Sequence, residues 1–476
     1  MRPWRIGIGT RMRLLLSRRV TWRRLERERL RRGSDPFGQA NGVVSVGPYL
    51  VRRLFDDQTD LMAVLRHDAM TLRPDEPSGP EIVISMPGRQ VAERLDLLGM
   101  DEAAARAAFD GSISRGIAKL ADRPPVDDEE EDPVRRELPQ LPSWIRQEER
   151  DALLELDSEI WITRMRTAAV TAEPELHRFF FRPEPEDFWW LFHLVTGYGG
   201  LDDRRTLLRL ILLVFPDEQV TVRIRHLDEG ENGHPTEAAP SKALRTMQDF
   251  GATYSPDSRA HRRSHRCGSP SRALSILYPY LDDLVRFMEF DVKPEGSASG
   301  LVRTVKAFVA AGISNRIVAV FDNDSAAADA LRTVPADLPS NVRVMQYPPL
   351  ELANCYPTYG PPNSDNPEQT LSTANVNGLA GSIELYLGQD VLTDVDGGLR
   401  PVQWKSFLAG VQRYQGEVTR KADIQRLFRA KVRAAREHGG PLTHQDWTGL
   451  QAILQEILHA HRGLLSTSTE KAPAAT

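Results

Sequence analysis

Arg316-Ile317-Val318-Ala319-Val320-Phe321-Asp322-Asn323-Asp324-Ser325-Ala326-Ala327 is the stretch that decides the fold. An apolar run rich in β-branched residues leads straight into two aspartates, and an Ala-rich, helix-favouring segment follows. Such a run predicts a buried strand. Side chains alternate faces along a strand, so Asp322 and Asp324 leave on the same side if the strand persists that far. Adjacent carboxylates repel unless a cation lies between them. In open α/β sheets ligands gather at the carboxyl ends of strands, where this pair falls. The pair therefore reads as a Mg²⁺ site, an ion that prefers carboxylate oxygen and water. A second reading stands beside it: Asp324 or Ser325 caps the helix that begins there.

Working outward, helices are predicted at 271–281, 299–312 and 324–334, and strands at 285–292, 316–322 and 341–347. Alternation of this kind gives βαβ units and a mainly parallel sheet. Beyond Pro348-Pro349 the reading is a loop to about 374, a helix near 378–388, and helical segments at 401–414, 417–437 and 444–463. Upstream, apolar runs at 42–46, 81–85 and 219–225 read as strands. Residues 91–121 read as two helices, the second capped by Asp101, and further helices are expected at 143–157, 186–197 and 203–215. Phe188, Trp189, Trp190, Leu191 and Phe192 read as core. Pro- and acid-rich residues 122–142 read as a solvated linker. Residues 228–270 read as a long loop carrying the basic knot Arg259–Arg266.

The 476 residues hold 27% charged and 41% apolar side chains, with a formal net charge of −5. That balance exerts no global pull on nucleic acid, so any such binding must be local. The two cysteines, Cys267 and Cys355, form no metal-binding spacing and fit a reducing, cytoplasmic compartment. No apolar run reaches the roughly 18 residues a membrane helix needs, so no membrane partner is expected. The first 33 residues carry twelve arginines against Glu26 and Glu28.

The run 307–324 resembles the Toprim core of the HEPN/Toprim-associated proteins of bacteria. So do Tyr356-Pro357-Thr358-Tyr359-Gly360-Pro361, the segment 376–388, Pro401-Val402-Gln403-Trp404 and Tyr414-Gln415-Gly416-Glu417-Val418. Residues 41–225 resemble the family's N-terminal domain more loosely. The resemblance implies an α/β fold with a Toprim-like small parallel sheet flanked by helices, a mixed α+β N-terminal domain and a helical C-terminal segment. The expected boundaries are a basic, disordered arm at 1–40, an N-terminal domain at 41–225 and a degenerate loop at 226–270. A Toprim-like domain at 271–395, the helical segment at 396–465 and a tail at 466–476 complete them.

The resemblance further implies nucleic-acid strand cleavage with Mg²⁺ or Mn²⁺, in a setting of defence against phage or mobile elements. Asp322 and Asp324 match the family's Asp-x-Asp metal motif. Glu384 is a further carboxylate, as ligand or general base, and Lys421 offsets charge on the scissile phosphate. Arg303 and Lys306 are phosphate-contact candidates. The family's first-strand glutamate is missing: Cys267 stands there, with no apolar strand before it. Glu295 is the substitute candidate. A HEPN-type Arg-x₄₋₆-His signature occurs only at Arg433/His438 and Arg259/His265, neither in the N-terminal region. Three functions follow from these readings. They are a metal-dependent nuclease, an impaired Toprim protein that binds nucleic acid or nucleotide without cutting, and an unrelated phosphate-handling regulatory domain. DNA or RNA is the expected partner, and a second copy of the chain is left open.

Overall fold

The computed structural model describes residues 42–54, 59–73, 81–121, 153–169, 191–192, 195, 201, 203–225, 240–244, 269–288, 298–360 and 371–462. The basic arm, the acidic linker, the tail at 466–476, the basic knot, Phe188–Trp190, Cys267 and Glu295 lie outside the described residues. So does all of the 226–270 segment except 240–244, which are helical, and 269–270, which open a helix.

The described residues form a mixed α/β molecule with three apolar cores. The first belongs to the N-terminal half. Strands β1 (Gly42–Val46), β2 (Tyr49–Leu54), β3 (Met70–Arg73), β4 (Glu81–Pro87) and β5 (Gln219–Arg225) make one antiparallel sheet in the order β2-β1-β5-β4-β3. Alternate residues Val44, Val46, Ile82, Ile84, Met86, Val220 and Val222 are buried, as a sheet with one covered face requires. The cover is α1 (Gly88–Leu97), α2 (Glu102–Ala121), α3 (Ser158–Ala169) and α4 (Arg204–Val214). Asp101 starts α2 by accepting from the Ala104 amide at 2.8 Å, and Asp203 starts α4 by accepting from the Arg205 amide at 2.9 Å. Leu191 and Phe192 are buried in this core.

The C-terminal half opens with α5 (Ser269–Leu277), then α6 (Ala298–Ala310). Strand β6 (Ile317–Phe321) lies parallel to β8 (Val342–Gln346), from Ile317 opposite Val342 to Phe321 opposite Gln346. Between them come the two-residue β7 (Asn323–Asp324) and α7 (Ser325–Leu331). Val302, Val305, Ala319, Phe321, Ala327, Ala330 and Val342 pack this βαβ unit together. The small parallel sheet thus has two described strands. In the segment expected as strand 285–292, residues 285–288 are irregular and the rest lie outside the described residues.

Past β8 the architecture departs from expectation. Strands β9 (Tyr356–Tyr359), β10 (Leu371–Ala374), β12 (Val402–Leu408) and β13 (Arg413–Val418) form a mixed sheet in the order β10-β9-β12-β13, with β9 and β12 parallel. Residues 402–418, read above as helical, are an antiparallel hairpin. The segment 396–465 is therefore helical only from α8 (Lys421–His438) through α9 (Thr448–His459). Aromatic and β-branched residues in both arms favour the pleat. Gln412 and Arg420, at φ 52° and 55°, bracket β13 with left-handed turns that no continuous helix tolerates. The helix expected near 378–388 is likewise replaced by β11 (Ala380–Gly381), which pairs with β7, and a 3₁₀ turn at Ile383–Tyr386. Gly381 is needed there, because a Cβ would collide with the main chain of Asn323.

Candidate active site at the carboxyl end of β6

Strand β6 stops at Phe321, and the next pairing, Asn323–Asp324 with Ala380–Gly381, belongs to a different ladder. Asp322 sits at the break. The strand thus does not persist to Asp324, the condition on which the sequence reading put the two aspartates on one face, yet the charge of Asp324 still acts on Asp322.

Asp324 is 8% exposed, and both of its oxygens are engaged. Oδ1 accepts from the Ala327 amide at 2.7 Å, so Asp324 is the N-cap of α7. Oδ2 accepts from Gln415 Nε2 at 2.9 Å. The Gln415 side-chain Oε1 in turn accepts from the Ala326 amide at 2.9 Å, which ties β13 to the first turn of α7. The capping reading of Asp324 is therefore the one the geometry bears out.

Glu384, on the 3₁₀ turn, is 7% exposed. Ser382 Oγ donates to its Oε2 at 2.8 Å and Gln425 Nε2 to its Oε1 at 3.1 Å. Lys421, the first residue of α8, places Nζ 3.5 Å from Glu384 Oε2 and 3.0 Å from Glu417 Oε1. Burial draws the Lys421 pKa down, but the two glutamates outweigh it and hold it above the ordinary lysine value.

Asp322 differs from these neighbours. Its main-chain carbonyl accepts from Gln346 Nε2 at 3.2 Å, but no hydrogen bond or ion pair holds its carboxyl group among the described residues. Burial first, then the charges of Asp324 and Glu384, push its pKa up to about 7, with Lys421 opposing. Tyr347 and Tyr386 wall the same space, their rings 5.0 Å apart. Burial raises the Tyr347 phenol above its ordinary value, and the Asp322 charge adds to this. Burial raises Tyr386 to about 12, an Asn323 hydrogen bond opposes the rise, and Asp322 adds to it.

The structure thus gathers four of the five sequence candidates, Asp322, Asp324, Glu384 and Lys421, while Glu295 lies outside the described residues. Arg303 and Lys306 are exposed on α6. Sequence reasoning missed Gln415 and Tyr347, since a neutral amide and a phenol carry no motif by themselves. Among the described residues no group of three or more His, Cys, Asp or Glu side chains stands in metal-ligand arrangement. The donor set nevertheless suits a hard cation. A carboxylate has about four lone pairs, so Asp324 and Glu384 retain capacity beyond their hydrogen bonds, and Asp322 retains all of it. Mg²⁺ needs only one or two carboxylates besides water.

A cavity of about 500 Å³ lies along β6, lined by Val318, Val320 and Tyr347 and by residues of α6 and α9, and none of the site carboxylates lines it. No helix among the described residues is long and apolar enough to cross a membrane. No family model, curated protein or solved structure matches the chain.

Proposed function

We propose that the chain is a metal-dependent phosphodiesterase acting on nucleic acid, with the Asp322–Asp324–Glu384 group holding Mg²⁺ or Mn²⁺. One observation carries the reading. Asp322 is a half-buried carboxyl with no hydrogen-bond or ion-pair partner among the described residues, and it feels the charge of two buried carboxylates at the end of a parallel strand. Such a group holds its proton up to about pH 7, and a cation would favour its release. The resemblance to Toprim cores implies the same use of the Asp-x-Asp segment and extends the reading to phage defence.

A bound dication supplies Lewis acidity and an activated water for phosphodiester hydrolysis. The chain's own part is positional. Asp324, fixed by the α7 amide and by Gln415, presents a rigid carboxylate. Glu384, held by Ser382 and Gln425, sits within reach of the Lys421 ammonium. Lys421 keeps a positive charge at the site for the phosphate oxygens.

A second reading is favoured by a specific feature: the oxygens of Asp324 and Glu384 are already engaged by neutral donors and Lys421. A site so occupied suits binding of nucleic acid or nucleotide without cleavage. Incubation of single- and double-stranded DNA and RNA with Mg²⁺ or Mn²⁺, beside Asp322→Asn, separates the two. Cleavage that falls at least about 100-fold in the variant supports the enzyme. Cleavage equal in both proteins overturns it, and binding without cleavage selects the second reading.

A further inference from the structure

The β12–β13 hairpin carries two large rings in water. Phe407 is 53% and Tyr414 47% exposed, although both lie on a well-formed ladder directly opposite each other. Their rings meet edge to face with centroids 5.2 Å apart. A cross-strand aromatic pair steadies a hairpin, but that role is served as well by a pair under cover. This pair instead stands on the last two strands at one edge of its sheet, on the face opposite Gln415 and the carboxylate site. The Tyr414 carbonyl accepts from Ser325 Oγ at 2.8 Å, one residue beyond Asp324, and the next residue, Gln415, holds Asp324 itself.

One cation near the hairpin is available to a phosphate chain. Arg413 is exposed, on the Gln415 face of β13, and forms no hydrogen bond or ion pair among the described residues. A side chain built at Gly378 would lie 3.7 Å from Arg413 Nη1 and 3.9 Å from Asn323 Oδ1, which puts this guanidinium next to the β7 turn. At the hairpin tip Arg332 donates to the Gly410 carbonyl and pairs with Asp329 at 3.5 Å, so its charge is already met. Alternation along β13 sets Arg413 and Gln415 toward the carboxylates and Tyr414 on the opposite face. Ser325, Ala326 and Leu379 cover the β13 edge at Tyr414, Gln415 and Gly416, so a strand that passes over the Arg413 end of β13 meets a cation on the carboxylate side and an aromatic surface on the other.

We infer that the substrate is single-stranded nucleic acid, with an unpaired base stacked on Phe407 and Tyr414 and the adjoining phosphate on Arg413. This rests on the carboxylate site proposed above. Only an unpaired base exposes a π face to a side chain, and stacking of this kind is tolerant of sequence. A duplex buries those faces and would meet the rings only at its rim.

The test is fluorescence anisotropy in EDTA. Labelled oligothymidylate and oligouridylate of about 16 nucleotides and the matching duplexes are titrated with the full chain, with the Phe407→Ala/Tyr414→Ala pair and with Arg413→Ala. The expected result is a loss of roughly tenfold in single-strand affinity for the double variant. Duplex binding stays unchanged, and Arg413→Ala shows a shallower salt dependence. If the alanine pair does not fold, Phe407→Leu/Tyr414→Leu keeps apolar volume without the π face, and the same loss is expected. Single-strand affinity unaltered in either pair, or lost equally for duplex, overturns the inference. A protein that stacks single strands on these rings yet cuts none with metal sinks the nuclease reading and leaves this one standing.

Discussion

Two charged groups in the C-terminal half, Lys431 and Asp322, have opposite surroundings. Lys431 on α8 is 5% exposed and fully met: the Leu387 carbonyl and Asp390 Oδ1 accept from its ammonium at 2.8 Å each, the Asp446 carbonyl also accepts, and the Trp447 ring lies 4.7 Å away. Asp322 is half-buried, and its carboxyl, held by no hydrogen bond or ion pair among the described residues, feels the like charges of Asp324 and Glu384 with Lys421 opposing them. A charge with every valence filled is part of the architecture. A charge left open, with its protonated form favoured by its surroundings, is where a ligand adds the most. Arg94 belongs with Lys431. It is wholly buried on α1, and it donates to Val64 O at 2.5 Å and, in a fork, to both Asp283 oxygens at 2.5 and 2.9 Å, clasping the N-terminal core to the turn after α5.

The contrast is open to attack, beginning where the effect is largest. Lys431→Met should cost about 3–5 kcal/mol, because Asp390 and two carbonyls lose their donor; chemical denaturation measures it. A loss under about 1 kcal/mol would place Lys431 among ordinary surface ions.

Asp322→Asn should do the reverse. A carboxyl whose folded pKa lies above its unfolded value of 3.8 binds more protons folded than unfolded between about pH 4 and 7. Stability therefore falls as pH rises through that window and stays low above it. The variant should gain about 1–4 kcal/mol at pH 8 in EDTA and lose the slope. Thermal melts of both proteins from pH 4 to 8 decide this, and a variant less stable at pH 8 contradicts it.

Asp324 divides its two roles by substitution. Asp324→Ala removes the α7 cap and should cost about 1 kcal/mol, whereas Asp324→Asn retains most of the cap. Equal stability loss in both variants would mean that the charge, not the capping bond, matters to folding.

Much of this was legible in the sequence. The β-branched run 317–321, the caps Asp101 and Asp324, and the alternation at 219–225 obey local rules that packing did not override. The hairpin at 402–418 was not legible as such. Its decisive features are a left-handed Gln412, a left-handed Arg420 and a Gly416 pressed against Ala380 and Trp404, and all three appear only once distant segments meet. The site divides in the same way. Asp322, Asp324, Glu384 and Lys421 announce themselves by charge. Gln415, which fixes Asp324 across 91 residues, and Tyr347, which walls Asp322, are set by tertiary contact alone.

The central claim is that Asp322 is the opening a divalent cation fills. Electron paramagnetic resonance of Mn²⁺ titrated at pH 8 into the full chain and into Asp322→Asn measures this without reference to any substrate. The account predicts a saturable loss of free Mn²⁺ signal with the natural chain and at least about tenfold weaker uptake by the variant. Equal uptake by the two proteins, or none by either, contradicts it.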